Sequence, residues 1–367
     1  MEFDLLFVVL LAIYLVDCVV WVPGHAFAFR SRPAGAWSRA VEFFPVLGGR
    51  WVAVLGGILP GAGGVVLAET RPPRLSPAGV CMCEPESLNG RPVAYEDLVS
   101  PKPDEHEVRA GSRTVARVAT HRFAREVASL LVELAGMPVE RRAGRSEALF
   151  ARMLDIGAAQ NALQLHRADV RLLVWPVRLL ALVMFVAFPF VVIEWGLRAL
   201  VPAALAVLAC TVLVAALTGW RIRKIHDEPI AHRVAMMILS PPLAIRADDV
   251  AGRDRLAGFH ELVVARTACD ETQAREIAAS ALRAFRYPLP SESATCCEAS
   301  EWCGRVWRAR LEEWIARENG PLEELLAPPI RGSSKLLAYC PRCRQQYERA
   351  GECPDCEGLA LEPFPAG

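Results

Sequence analysis

Three stretches of the chain are apolar over lengths that matter for a bilayer. Residues 5–22 read LLFVVLLAIYLVDCVVWV, residues 172–193 read LLVWPVRLLALVMFVAFPFVVI, and residues 199–218 read ALVPAALAVLACTVLVAALT. A helix of roughly 20 apolar residues crosses the hydrocarbon core, so the pattern predicts three transmembrane helices. Only EWGLR separates the last two, which makes them an antiparallel hairpin. Pro189 is expected to kink the first arm, and Pro202 falls in the first turn of the second, where proline is tolerated. Trp21, Trp175, Trp195 and Trp220 lie near span ends, as an interfacial aromatic belt requires.

Charge sets the expected orientation. Glu2 and Asp4 precede the first run, whereas Arg30, Arg32, Arg39 and Arg50 follow it. Arg167 and Arg171 precede the second run, and Arg221, Arg223 and Lys224 follow the third. By the positive-inside rule the N-terminus is outside, residues 23–171 and 220–367 are inside, and the hairpin turn is outside. The alternative is a cleaved signal peptide, with Ala26-Phe27-Ala28 imitating a cleavage site; the acidic n-region argues against it. Asp17 and Arg178 both fall within the runs, roughly 7–9 Å from the inner face at 1.5 Å per residue. An intramembrane ion pair between Asp17 and Arg178 would compensate both charges. Separate snorkelling of each to the interface is the other reading.

Residues 46–68 are apolar too, but carry seven glycines, Pro60 and Arg50. A further span here would export the Arg-rich segment after it. The pattern instead predicts two short strands, Trp51–Leu55 and Val65–Ala68, joined by an LPGAGG turn, with a re-entrant loop as the alternative. Trp37, Val41 and Phe44 at i, i+4, i+7 suit a short interfacial helix or a surface-packed amphipathic turn. Residues 70–104 are rich in proline and turn residues and are expected as an ordered loop or small β-rich extension.

From about 105 to 168 the period becomes helical, with Val115, Val118, Phe123, Val127, Leu130, Leu131 and Leu134 near one face. Gly136-Met137-Pro138 ends that helix, and a second from about Ser146 runs toward the second span. Beyond the hairpin, residues 248–286 read as two helices, with Asp270 and Gln273 resembling a capping box. A helix over about 301–318 carries Trp307, Leu311 and Trp314 at i, i+4, i+7, an aromatic stripe of the kind that usually enters a core.

Composition adjusts this picture little. The chain has 367 residues, 53% of them hydrophobic, and Lys+Arg equals Asp+Glu at 41 each. Hence no global charge argues for nucleic acid. Of the 12 cysteines, Cys18 and Cys210 sit in apolar runs and behave as small hydrophobes. Cys81-Met-Cys83 has the wrong spacing for a metal knuckle. Cys296, Cys297 and Cys303 with His260 are a weak second thiol or metal candidate. His260-Glu261 and His106-Glu107 lack the second histidine of HExxH, Gly61-Ala-Gly63-Gly64 lacks the Lys-Ser/Thr of a phosphate loop, and no GxSxG occurs.

The strongest motif is at the end: Cys340-Pro-Arg-Cys343, then Cys353-Pro-Asp-Cys356. Each pair presents two thiolates from one tight turn, and two such turns close a tetrahedral four-sulfur site. Strands are expected at Leu336–Tyr339, Gln346–Arg349 and Leu359–Leu361. These residues resemble the zinc-ribbon family over about the last 30 positions. The resemblance implies a small β-module folded by structural Zn²⁺, of a kind used for binding. Rubredoxin-like iron is the alternative, although Arg344 and Glu357 stand where that pattern has glycine. Arg342, Arg344, Arg349 and Lys335 are expected to offset the thiolate charge.

The expected architecture is therefore a mainly α membrane protein. It has three transmembrane helices, a small β/loop unit after the first, helical cytoplasmic layers and a C-terminal zinc ribbon. Its layout resembles multi-pass bacterial inner-membrane proteins. No catalytic residues emerge. The expected function is that of a non-catalytic adaptor or assembly protein at the cytoplasmic face, with the bilayer and a further protein as partners; a membrane-bound redox or thiol-dependent protein with rubredoxin-like iron is the alternative, and a nucleic-acid-binding ribbon the third.

Overall fold

The computed structural model describes residues 121–225, 258–289 and 298–365 without a break, most of 92–118 and 231–245, residues 75–80, and shorter pieces elsewhere, chiefly strands between 19 and 67. It is mostly helical and divides into two compact units. The first comprises residues 1–70, 119–123 and 156–269; the second comprises 71–118, 124–155 and 270–367.

In the first unit, strands β1 (Val19–Pro23), β2 (Phe27–Ser31), β3 (Val41–Pro45), β4 (Trp51–Leu55) and β5 (Val65–Leu67) form two small antiparallel sheets. β1 pairs with β4, with Trp21 opposite Ala53. β2 lies between β3 and β5. This corrects three expectations. The first apolar run does not stay helical to residue 22, because VVWV, β-branched and aromatic, pairs as a strand. Among the described residues no helix of spanning length precedes residue 23. Residues 41–45 are a strand rather than an interfacial helix. The strands at 51–55 and 65–67 are present, but each pairs with an earlier strand and not with the other. Asp17 lies outside the described residues, and with it the proposed pair to Arg178. Arg178 itself sits with its guanidinium 5.7 Å from the Trp175 ring.

The hairpin follows the expected pattern closely. In the second unit, α1 (His121–Ala135) precedes α2 (Val139–Met153). In the first unit, α3 (Ile156–Leu182) passes through a π-helical turn, Val183–Ala187, into α4 (Phe188–Trp195). Pro189 has no N–H and its ring crowds the carbonyl four residues back, and the wider π register just before it takes up the mismatch. Gly196, at φ 64°, makes the reversal, and α5 (Leu200–Ile225) returns. Arg171–Trp195 and Leu200–Arg221 are each long and apolar enough to cross a membrane. Thr211 and Thr218 donate to the carbonyls of Val207 and Val214 within α5, which satisfies both hydroxyls inside an apolar helix. Next come α6 (Ala231–Leu239) and α7 (Pro241–Ala244), which pack against α5, and α8 (Glu261–Ala268), which packs on α3.

In the second unit, β6 (Lys102–Asp104), β7 (Glu107–Ala110) and β8 (Arg113–Arg117) form a meander. The expected helix over 105–118 is thus a hairpin. Its period is 2: Val108 and Ala110 are buried while Arg109 is exposed. Gly111, at φ 64°, provides the tight turn. The helix over α1 does end before Gly136-Met137-Pro138, and α2 begins at Val139, seven residues earlier than expected, because Pro138 starts it. α9 (Glu271–Arg286) is capped by Asp270, whose Oδ1 accepts the Gln273 N–H at 2.9 Å. α10 (Glu298–Asn319) buries Leu311 and Trp314. The Trp314 indole donates to the Leu154 carbonyl at 2.9 Å, and Trp307 meets Phe150 edge-on at 5.3 Å. The aromatic stripe is therefore core. α11 (Leu322–Leu326) leads into the C-terminal module.

Candidate metal centre

The module is built from five two-residue strands. β9 (Ala338–Tyr339) is central, flanked by β10 (Gln346–Tyr347) and β13 (Glu362–Pro363), while β11 (Glu352–Cys353) pairs with β12 (Leu359–Ala360). Each cysteine pair occupies the turn of a small hairpin. The Cys340 carbonyl accepts the Arg344 N–H at 2.9 Å, and the Cys353 carbonyl accepts the Gly358 N–H at 3.1 Å. Arg344 and Glu357, the residues after each second cysteine, adopt φ of 65° and 50°. The turn demands the left-handed region, and two non-glycine residues supply it at a steric cost.

This folding brings all four predicted ligands together. The sulfurs of Cys340, Cys343, Cys353 and Cys356 all lie within 4.8 Å of one another, with Cys343 and Cys353 3.7 Å apart. Cys340, Cys353 and Cys356 are buried, and Cys343 faces solvent. The four can hold a metal ion.

The electrostatics fit a charged centre. Burial pushes the Cys343 thiol up to about 11, against a hydrogen bond from the Gln345 backbone. Burial and neighbouring thiols also raise Cys356. At Cys353 burial opposes ionisation, yet hydrogen bonds from Tyr347, Cys340 and the Asp355 backbone together outweigh it and lower the thiol. The Tyr347 hydroxyl is 3.2 Å from the Cys353 sulfur. Without a cation, four clustered thiols resist full ionisation; a metal ion removes that penalty.

Arg283 is a partly buried cation that a negatively charged cluster would favour. Its Nε donates to the Arg342 carbonyl at 3.1 Å, but its Nη1 is buried with no hydrogen-bond partner. Burial lowers its pKa to about 10; Arg344 lowers it further and Cys343 opposes both. A desolvated guanidinium beside a four-thiolate centre gains the counter-charge it lacks otherwise.

The expected cations are placed differently. Arg342 donates to the Tyr287 carbonyl at 2.8 Å and Arg344 to the Ala327 carbonyl at 3.1 Å. They fasten the module to the chain before it. Arg283 and Tyr347 were not singled out from sequence. Arg283 lies 59 residues from Arg342, and only tertiary packing brings it near. Leu289 packs on the cysteine cluster in the same way.

The weaker candidates do not assemble into a site among the described residues. Cys296, Cys297, Cys81 and Cys83 lie outside them. Cys303 is buried on α10. His260 is the N-cap of α8, its Nδ1 accepting the Leu262 N–H at 3.3 Å, and burial depresses its pKa to about 3.

No family model matches the chain, and no curated protein or solved structure matches it either.

Proposed function

We propose that this protein is a membrane-anchored zinc-ribbon adaptor. The apolar hairpin holds it in the bacterial inner membrane with its mass on the cytoplasmic side, and the C-terminal module is folded by one structural Zn²⁺. The observation that carries the reading is the four-sulfur cluster. A tetrahedron of Zn–S bonds near 2.3 Å has S–S edges of about 3.8 Å, and the Cys343–Cys353 separation of 3.7 Å is close to that edge. Zinc would supply folding energy that ten strand residues cannot, and four thiolates leave it no open position for water. Its place is structural, and Cys340, Cys343, Cys353 and Cys356 are its ligands.

The adaptor role follows from what surrounds the metal. The module presents Ile330, 94% exposed, and Leu337, 55% exposed, at its edge. The tail stays in a reducing compartment under the positive-inside orientation, so its thiols remain free for metal.

The deciding experiment is elemental analysis with a visible spectrum on the detergent-solubilised full chain, wild type beside Cys343→Ser. One colourless zinc per chain, weakened in the variant, supports the ribbon. Red colour with iron transfers the site to electron transfer. A metal-free protein from zinc-replete cells removes the reading. Crosslinking in native membranes, compared between the two forms, then tests for a protein captured only when the ribbon is intact.

A further inference from the structure

The C-terminal part of helix α6, from Val234 to Leu239, departs from a rule that water-facing helices obey. Among its described side chains the exposed positions are Ala231, Ala235, Met236 and Leu239, with Leu239 78% and Met236 42% exposed. An amphipathic helix at a protein surface turns polar residues outward. Here the outward residues are as apolar as Met237, which faces inward and is buried.

Its inner face belongs to the hairpin. Met237 with Ala244 and Ile245 joins one buried cluster with Leu173, Val177, Leu180, Ala181 and Met184 of the first arm and Val214 and Ala215 of α5. Leu180 to Met184 lie 9 to 13 residues beyond Arg171, roughly 14–20 Å along the helix, near the middle of a hydrocarbon core about 30 Å thick. Val214 and Ala215 lie six to seven residues before Arg221, roughly 10 Å in. The cluster thus runs from Leu173, roughly 3 Å beyond Arg171, to Met184, and the elements that cover it lie along the half of the hairpin nearest Arg171 and Arg221. A five-residue link between Ile225 and Ala231 lets α6 fold back on α5.

The sequence fits the same placement. Between Arg233 and Arg246 runs VAMMILSPPLAI, twelve residues without a charge. Twelve residues are too few to span, so a segment at this depth must enter and leave by one face. Pro241-Pro242 cannot extend α6 and open α7 instead.

We infer that residues 234–245 form a re-entrant helical loop, inserted into one leaflet beside the hairpin, with Met236 and Leu239 against lipid acyl chains. Lipid is the occupant because α6 packs on α5, a helix whose own outward residues are apolar, Val201, Leu205 and Leu213 being more than half exposed. The inference rests on the membrane reading of the hairpin.

The test places a small environment-sensitive fluorescent amino acid at Leu239, and in a second variant at Met236, in the full chain reconstituted into phosphatidylcholine vesicles with brominated acyl chains. Labels at Leu205 and Glu313 are the hairpin and aqueous controls. The expected result is bromolipid quenching at 239 and 236 at least half that at 205, none at 313, and no quenching by aqueous iodide at the first three. Quenching at 205 with iodide access at 239 and 236 overturns the re-entrant loop and leaves the hairpin standing. Shielding of 239 and 236 from both quenchers overturns it in favour of a protein cover. Absence of bromolipid quenching at 205 removes the membrane reading and this inference with it.

Discussion

Arg283 pairs a favourable position with an unfavourable state. Its Nη1 lacks a partner and is buried, so in metal-free protein the guanidinium bears a desolvation cost. With metal bound, four thiolates around a divalent ion leave a net charge of about −2, and that charge faces it. Arg283→Met is expected to lower zinc affinity by about 10- to 100-fold, the scale for outer-shell partners, while leaving metal-free stability unchanged or slightly higher. Arg283→Lys restores part of the affinity. Chelator competition on the full chain, paired with thermal melts of the metal-free form, measures both; equal affinity in all three forms would show that the charge is irrelevant. His260 gives a second residue-scale expectation. Its folded pKa of about 3 lies below the ordinary value near 6.5. Between those values the unfolded chain binds the proton and the folded chain does not, so stability is intact above about pH 6.5 and is lost as pH falls toward 3. His260→Gln should remove part of the loss between pH 7 and pH 5, the buried Glu261 carboxylate 3.3 Å from the His260 Nε2 offsetting the rest. Melting midpoints of both forms at the two pH values test it, and parallel pH slopes would refute it.

Among the elements, α10 joins the helical layer of its unit through one buried bond. The Trp314 indole donates to the Leu154 carbonyl at the end of α2. Trp314→Phe keeps the ring and removes the donor, which should cost about 1–3 kcal/mol through the stranded carbonyl. Denaturant midpoints report that directly; a change under a few tenths of a kcal/mol would mean that solvent replaces the bond. The element scale is also where sequence and structure part. The hairpin arms, the break at Gly136-Met137-Pro138, the Asp270 cap and both cysteine turns were legible, since each depends on neighbours within a few residues. The β7–β8 hairpin was not. EVRAGSRTVAR alternates with period 2, but its valines and alanines also fit a loose helical face. The strand at the end of the first apolar run was missed because its partner is far along the chain: Val19 faces Leu55, 36 residues on, and Pro23 faces Trp51, 28 residues on.

At the scale of the molecule, one unit is organised by apolar helices and the other by a packed helical layer carrying the cysteine module. Arg283, Arg342, Arg344 and Gln346 all donate to backbone carbonyls across the module's edge. Chelation should therefore loosen residues 331–365 and leave the hairpin untouched. Limited proteolysis of chelated protein is expected to cut first within the module, with helical circular dichroism nearly unchanged. Collapse of the helical signal on chelation would instead mean that the metal organises the whole unit.

The four-cysteine cluster and the two long apolar helices were determined by sequence alone. Both follow from local chemistry: paired thiols in a tight turn, and a run of side chains that water rejects. Strand partners, the cation beside the thiolates and the apolar cover on the hairpin were decided only by tertiary structure. Each joins residues far apart in the chain, and the free energy that selects such contacts depends on what else is buried with them.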